Sequence, residues 1–367
     1  MDNQTLSERI RIVDPSDLKA DLDRWPELAR RSWDGTTTIM LDSIPHDVVM
    51  AGMGGSGIVA DIITDIARRL ASKIRFEVIN NYHLPESTPQ DALVIGISCS
   101  GNTAETLKFV SEAEKAGIKG FAVSSGGKME AFARQSKNFR HMKTEMLKVQ
   151  RASFPGLIFP LLKMFSQNRM LDVSNDALEA MECMQQISKE CSDPDSASNP
   201  AVELARKIVN GEEFFMPIVY GSRFTRAAGR RFRQSLNENA KIHAFSGEIP
   251  EICHNSIVAW DTASSLAANG ISDGHHIKAI PVLLRFDEDP EEVKVRFDII
   301  EQLLKESGVE PIKAPYKGAS YLSKVISLIY YLEYVTYYVA ILRGVNPIVT
   351  PSIDKLKSRL DAMGKGY

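Results

Sequence analysis

The sequence predicts an α/β protein of two doubly wound, mostly parallel sheets joined by a helical segment. Three observations carry that expectation. Apolar runs and helical patterns alternate from about residue 45 onward, as strands separated by covering helices do. Two of the apolar runs, Val48 to Ser56 and Phe214 to Ser222, end alike in Gly-Ser at the start of a helix. The 367 residues leave room for two domains, each with its own core, since a domain takes roughly 100–200 residues.

Taken in order, Asp47-Val-Val-Met-Ala-Gly52 reads as a buried strand closing in glycine, followed by an amphipathic helix from Ile58 to about Leu70. Phe76 to Asn80 is a second strand. Ala92 to Ile97 is a third, and its β-branched run stops at Ser98. Leu107, Val110 and Ala113 continue at helical spacing, and Gly120 to Ser124 gives a fourth strand. From Phe154 to Ile208 the pattern is helical, with Ser192 to Pro200 a polar connector between two helices. Strands follow over Phe214 to Ser222 and His276 to Arg285, with helices over Arg296 to Ser307 and Tyr321 to Leu342. The last is apolar nearly all round and is expected to be buried. The organisation this gives is a first domain over 1–152, a helical connector over 153–210, and a second domain with a tail over 211–367.

Charge and composition narrow the partners. With 44 Lys+Arg against 47 Asp+Glu and a net charge of -3, the chain lacks the basic excess that phosphate-backbone binding requires, so no nucleic acid is expected. The densest basic cluster, Arg223, Arg226, Arg230, Arg231 and Arg233, falls on a predicted helix as a solvated or phosphate-facing side. No apolar stretch of about 18 residues is expected to cross a membrane, and MDNQTLSERIR has no signal-peptide core. Cys99, Cys183, Cys191 and Cys253 lack CxxC spacing and read as reduced thiols of a cytoplasmic protein. No H-x-x-x-H or similar ligand spacing appears, so neither metal nor cofactor is expected.

Two loops carry the chemistry. Gly52-Met-Gly54-Gly55-Ser56-Gly57 fits G-x-G-x-x-G between a strand and a helix. A dinucleotide would also need a carboxylate at the end of the second strand, where Asn80-Asn81-Tyr82 stands instead. A plain positive-φ turn accounts for the glycines without a ligand. The other reading is a loop whose backbone N–H groups and Ser56 hydroxyl approach a small ligand at a helix N-terminus. Ser98-Cys99-Ser100-Gly101-Asn102-Thr103 is the more specific motif. Capping of a helix by Ser100, with Glu105 in its first turn, explains one serine. The whole hydroxyl cluster at a strand-to-helix junction favours an anion, with Ser98, Ser100 and Thr103 as its donors. Ser124-Ser-Gly-Gly-Lys128 is too short for a nucleotide P-loop, which points to a phosphomonoester.

With these residues in place the sequence resembles the sugar isomerase (SIS) domain family, in which a strand-end Ser/Thr loop holds a phosphosugar. Two such halves, with Arg151, Asn237-Glu238-Asn239, His254, Thr350 and Leu356-Lys357, resemble the bifunctional phosphoglucose/phosphomannose isomerases from about Asp21 to the end of the chain. Glu238 precedes His254 by sixteen positions and Thr350 precedes Lys357 by seven, in the family's order. The resemblance implies two flavodoxin-like SIS domains and a metal-independent aldose–ketose isomerase acting on glucose 6-phosphate, mannose 6-phosphate and fructose 6-phosphate. It gives Ser98, Ser100 and Thr103 to the substrate's phosphate, and Gly54, Gly55 and Ser56 to substrate binding. It makes Glu238 the base and Arg151 the stabiliser of the enediolate. His254 and Lys357 open the ring, and Thr350 leaves room for both C2 epimers.

The roles suit the chemistry. Moving a proton between adjacent carbons needs a base at the α-carbon and a positive group at the developing oxyanion. A histidine titrating near neutrality suits ring opening. Glu248 and Glu251 are local rivals of Glu238, and Lys355 of Lys357; His243, His275 and His276 read as structural. In the family the histidine comes from the neighbouring subunit, which implies a homodimer with sites at its interface. The competing class is a non-catalytic phosphosugar sensor, which would use the same hydroxyl loop without Glu238, His254 and Lys357.

Overall fold

The computed structural model describes residues 4–210, 213–261 and 278–363. The chain forms two compact units. One comprises Ser16–Gln185, Gly318–Ser323 and Ile348–Tyr367; the other comprises Met1–Pro15, Gln186–Lys317 and Lys324–Pro347. They are called the first and second unit below. Helix α1 (Leu6–Val13), although first in the chain, belongs to the second.

In the first unit, α2 (Leu18–Asp23) and α3 (Trp25–Gly35) precede β1 (Asp47–Gly52), α4 (Gly54–Arg69), β2 (Arg75–Ile79), β3 (Leu93–Ile97), α5 (Ala104–Lys115), β4 (Gly120–Ser124), α6 (Gly127–Gln135) and β5 (Phe139–Lys143). A 3-10 turn, Gln150–Ser153, then leads into α7 (Phe154–Gln167). The strands are all parallel in the order β2-β1-β3-β4-β5. The central strands read as unbroken apolar runs because both faces of the sheet are covered. Every residue of β3 and of β4 is buried. On one face Val49, Ala51, Val94 and Ala122 pack against Phe109, Val110 and Ala113 of α5 and Met129 and Ala133 of α6. The edge strand β5, Phe-Arg-His-Met-Lys, buries only Phe139 and Met142 and gives no such run.

Strand order reverses between β1 and β3, whose final residues Gly52 and Ile97 are in register. In open α/β sheets this switch point leaves a crevice at the carboxyl ends of the strands. The two sequence loops, 53–57 and 98–103, leave the sheet there side by side.

Helix α8 (Ser174–Cys191) carries the chain into the second unit. There α9 (Pro200–Ile208) starts at Asn199, whose side chain accepts from the amides of Ala201 and Val202. A short antiparallel pair, β6 (Val209–Asn210) and β7 (Glu213–Phe214), precedes β8 (Met216–Gly221), α10 (Arg226–Ser235), β9 (Phe245–Glu248), β10 (Ala279–Leu284), α11 (Glu291–Glu306), β11 (Ile312–Lys313) and α12 (Tyr321–Arg343). This sheet is also wholly parallel, in the order β11-β10-β8-β9. Tyr220, Ile249, Ile252, Leu283, Phe297, Ile300 and Leu304 form a core on it. Helix α13 (Pro351–Ala362) belongs to the first unit and buries no residue. His275, His276 and the start of the strand expected at His276 lie outside the described residues.

Two expectations need correction. Helix α12 is long and apolar enough by composition to span a bilayer, contrary to the reading that no such stretch exists; 94% of its apolar window is buried inside the protein. Lys324, Glu333 and Arg343 interrupt the run in the sequence, which is why it did not register as one. Its polar atoms are met within the second unit: the Tyr337 hydroxyl donates to Asp14 (3.0 Å) and the Tyr338 hydroxyl to the Cys191 carbonyl (2.6 Å). Of the two readings of the arginine cluster, a solvated or a phosphate-facing side, the solvated one does not hold throughout. Arg231 is 3% exposed, and Arg226, Arg230 and Arg233 line one cavity of about 250 Å³ with Glu248.

Candidate functional site

At the first loop, α4 begins at Gly54, four residues before the hydrophobic pattern does. Gly54 holds φ +51, and Met53 in the N-cap position offers no side-chain cap. The Ser56 amide donates to the Met53 carbonyl at 3.1 Å, which leaves the Gly54 and Gly55 amides to face an outside acceptor. Ser56 lies in that turn and is 8% exposed. The glycine spacing is explained by close packing. A Cβ on Gly57 would stand 2.8 Å from both Asn80 Nδ2 and the Gly52 carbonyl oxygen. Asn80 in turn donates to that oxygen at 2.7 Å. The residue standing where a dinucleotide site needs a carboxylate thus ties the second strand to the loop.

The second loop is a hydroxyl relay. Ser98, 1% exposed, accepts from the Gly101 amide at 3.1 Å, and its Oγ lies 2.8 Å from Thr103 Oγ1. If Ser98 donates to Thr103, the Thr103 proton remains for an acceptor beyond the loop. Thr103, not Ser100, occupies the N-cap position of α5, and its side chain caps nothing. The simple capping account of Ser100 therefore fails: Ser100 Oγ accepts from the Asn102 amide at 3.3 Å, and its proton too can turn outward. Hydroxyl protons and helix amides gathered at a strand end suit an anion.

Sequence reasoning did not find the segment that clasps this loop. Ser125 bonds the Cys99 carbonyl through both its amide (3.0 Å) and its hydroxyl (2.8 Å). The Met129 amide donates to the Gly101 carbonyl (2.9 Å) and the Lys128 amide to Asn102 Oδ1 (3.1 Å). Gly101, at φ +71, accepts the clasp only because it has no side chain; a Cβ there would stand 1.9 Å from the Gly126 carbonyl oxygen. The run Ser124 to Lys128 reads in the sequence only as too short for a P-loop, not as the support of another loop.

Arg151 sits in the 3-10 turn Gln150–Ser153 of the same unit. Asp21, 5% exposed, accepts from the Val149 amide at 2.9 Å, and Ser153 Oγ accepts from the Leu147 amide at 2.8 Å, which fixes that turn. Cys99 joins it to the hydroxyl loop: burial pushes its thiol above the ordinary range, and Sγ–H donates to the Gln150 carbonyl at 3.5 Å. Arg151 Nη2 donates to the Ile348 carbonyl at 3.2 Å, two residues before Thr350. Thr350 is the N-cap residue of α13 and its hydroxyl caps nothing; Lys355 and Lys357 are both exposed on that helix.

Glu238 and His254 belong to the second unit. Helix α10 ends in a π-helical turn, Leu236–Ala240, with Glu238 half-buried at its centre. Such π turns interrupt helices at functional sites more often than elsewhere. Lys241 closes it at φ +54, a left-handed conformation costly for a side chain by roughly 1 kcal/mol. Its Nζ offsets that strain by donating to the carbonyls of Glu238 (2.8 Å), Asn239 (3.2 Å) and Asn346 (2.6 Å). Asn239 donates to Thr336 Oγ1 of α12 at 2.8 Å. The rivals Glu248 and Glu251 lie at the end of β9 and in the 3-10 turn Glu251–His254, where His254 is exposed. The second unit's own Gly-Ser turn is closed upon itself. Ser222 donates its amide to Thr225 Oγ1 (2.8 Å), and Thr225 donates to the Leu284 carbonyl (2.8 Å). The repeated sequence theme is here a structural turn.

The comparisons agree with this architecture. The family described as bacterial phospho-glucose isomerase C-terminal SIS domain matches residues 197–360. The C-terminal domain of glucosamine-fructose-6-phosphate aminotransferase from Francisella tularensis superposes with a TM-score of 0.65 at 15% identity, over 90% of this chain and 97% of that one. A glucose-6-phosphate isomerase like protein from Thermus thermophilus superposes with a TM-score of 0.62 at 15% identity, over 96% and 98%. Two parallel sheets with a hydroxyl loop at a switch point define a double SIS-domain protein. A bifunctional phosphoglucose/phosphomannose isomerase from Aquifex aeolicus is 31% identical over 327 residues, 88% of this chain and 93% of that protein. The chain belongs to the bifunctional phosphoglucose/phosphomannose isomerase family and is an isomerase.

Proposed function

We propose that this protein interconverts glucose 6-phosphate and mannose 6-phosphate with fructose 6-phosphate, without a metal, through a cis-enediolate. The observation that carries this reading is the clasped Ser98–Thr103 loop at the switch point, joined through Cys99 to the turn that bears Arg151. Family membership supplies the substrate class. Phosphate is held by the Gly54, Gly55 and Ser56 turn and by Ser98, Ser100 and Thr103. Glu238 takes the proton from C2 of the open-chain aldose and returns it to C1. Arg151 faces the developing enediolate oxygen, where a fixed positive charge stabilises the transition state more than the ground state. His254, supplied by the second subunit of a homodimer, and Lys357 open the ring. Thr350 leaves C2 unconstrained, which admits both epimers. The chemistry consists of proton transfers and one charge to be balanced, and these side chains suffice for it.

The test is to incubate EDTA-treated protein with each aldose phosphate and measure fructose 6-phosphate. Ketose from both is expected. None from either would overturn the reading, and ketose from glucose 6-phosphate alone would remove the role of Thr350.

A further inference from the structure

The segment that clasps the hydroxyl loop is itself held from one side chain. Ser124, fully buried at the end of β4, places its Oγ 2.8 Å from the Gly126 carbonyl and 2.9 Å from His141 Nε2 on the neighbouring strand β5. A hydroxyl has one proton, and a carbonyl can only accept. Ser124 therefore donates to Gly126, and its lone pair accepts from His141 Nε2–H. The Gly126 carbonyl so fixed is the one against which Gly101 packs. A chain of contacts thus runs from His141 through Ser124 and Gly126 to Gly101, in the middle of Ser98–Thr103.

We propose that His141 is a positioning residue for phosphate binding, setting the hydroxyl loop through Ser124 and the Gly126 carbonyl. The proposal rests on the phosphate-loop reading above. His141 touches no part of the loop directly. Around it stand Glu130 and Arg134 of α6 and Lys143 of its own strand. Nε2 carries a proton in both the imidazolium and the tautomer assigned here, so the bond to Ser124 persists whichever charge the ring holds. What matters is a donor at that point, which an aliphatic side chain lacks and a glutamine amide supplies.

The test uses the full chain with His141→Leu, His141→Gln and Ser124→Ala. For each, kcat and KM are measured with glucose 6-phosphate, the inhibition constant with inorganic phosphate, and the Kd of glucose 6-phosphate by calorimetry. His141→Leu and Ser124→Ala are expected to raise KM, the phosphate constant and Kd together by about tenfold, with kcat within about threefold of the parent. His141→Gln is expected to stay within threefold throughout. Unchanged binding in both His141→Leu and Ser124→Ala, or a loss confined to kcat, would overturn the proposal. Should His141→Leu not fold, Ser124→Ala decides it alone. If the parent protein binds glucose 6-phosphate but makes no ketose, the isomerase reading fails while the calorimetric comparison still judges His141.

Discussion

Arg231 Nε lies 2.7 Å from Glu333 Oε1, and the two side chains are only 4% and 3% exposed. Ser235, one turn further along α10, donates to the same oxygen at 2.6 Å. The pair joins α10 to α12 immediately before the π turn that carries Glu238. A buried charge left without its partner costs about 3–5 kcal/mol, whereas an apolar pair of similar volume can be neutral. Glu333→Ala is accordingly expected to lower unfolding free energy by about that amount in urea titrations, and Arg231→Met with Glu333→Leu to recover most of it.

Glu238→Gln keeps the length of the side chain, and Lys241 Nζ still donates to the Glu238 and Asn239 backbone carbonyls that close the π turn. Turnover should fall by roughly 10²–10⁴-fold, the usual contribution of a general base, while calorimetric affinity for glucose 6-phosphate persists. Retained turnover would move the base to another residue. Undetectable turnover in the parent with intact binding would favour the sensor class.

Gly101→Ala sets a methyl group against a backbone carbonyl at φ +71, so the clasp must open. The expected result is a rise in KM of at least tenfold. Gly54→Ala provides the contrast. That residue is at φ +51 with nothing within 4 Å of the added carbon, so only the backbone strain of about 1 kcal/mol remains. A comparison of urea midpoints for the two variants separates crowding from conformation.

Burial holds the His141 imidazole below the ordinary histidine range, with nearby Glu130 opposing the shift. Its folded form therefore binds a proton less readily than its unfolded form. The stability linked to it is fully present above the unfolded value, near 6.5, and is lost as pH falls through the lower folded value. Urea midpoints should drop more between pH 7.5 and 5.5 in the parent than in His141→Gln. An equal drop in both would assign the pH dependence elsewhere.

Burial also pushes the Cys191 thiol up to about 12, so it stays protonated and unreactive at pH 8. Cys253, the half-buried one of the four free cysteines, should be the first to react with a thiol reagent, as peptide mapping after limited labelling would show.

How much of this was legible follows from what each pattern reports. Strands β1, β3 and β4 stood out because residues buried on both faces leave continuous apolar runs. Strand β5 did not, since Arg140 and Lys143 on an edge break the run, and β9 is a four-residue edge strand containing Gly247. The hydroxyl loop was visible because its residues are contiguous. Its supports were not: Ser125 binds it directly and His141 acts on it through Ser124, as Asn80 ties down the glycine loop, all by strand pairing and loop packing that no local spacing encodes. The Gly-Ser turn at Ser222 shows the opposite failure, a repeated motif whose hydroxyls bond the protein itself, Ser222 within the turn and Thr225 at the end of β10.

The hydrogen bond from Tyr337 to Asp14 spans 323 residues of sequence. Helix α1 is thus synthesised well before the helix that carries its partner. At roughly 5–20 residues per second, the interval is about 16–65 s. During it the first sheet can assemble, while Asp14 still waits for the Tyr337 hydroxyl. Closure of the second unit therefore waits for the synthesis of α12.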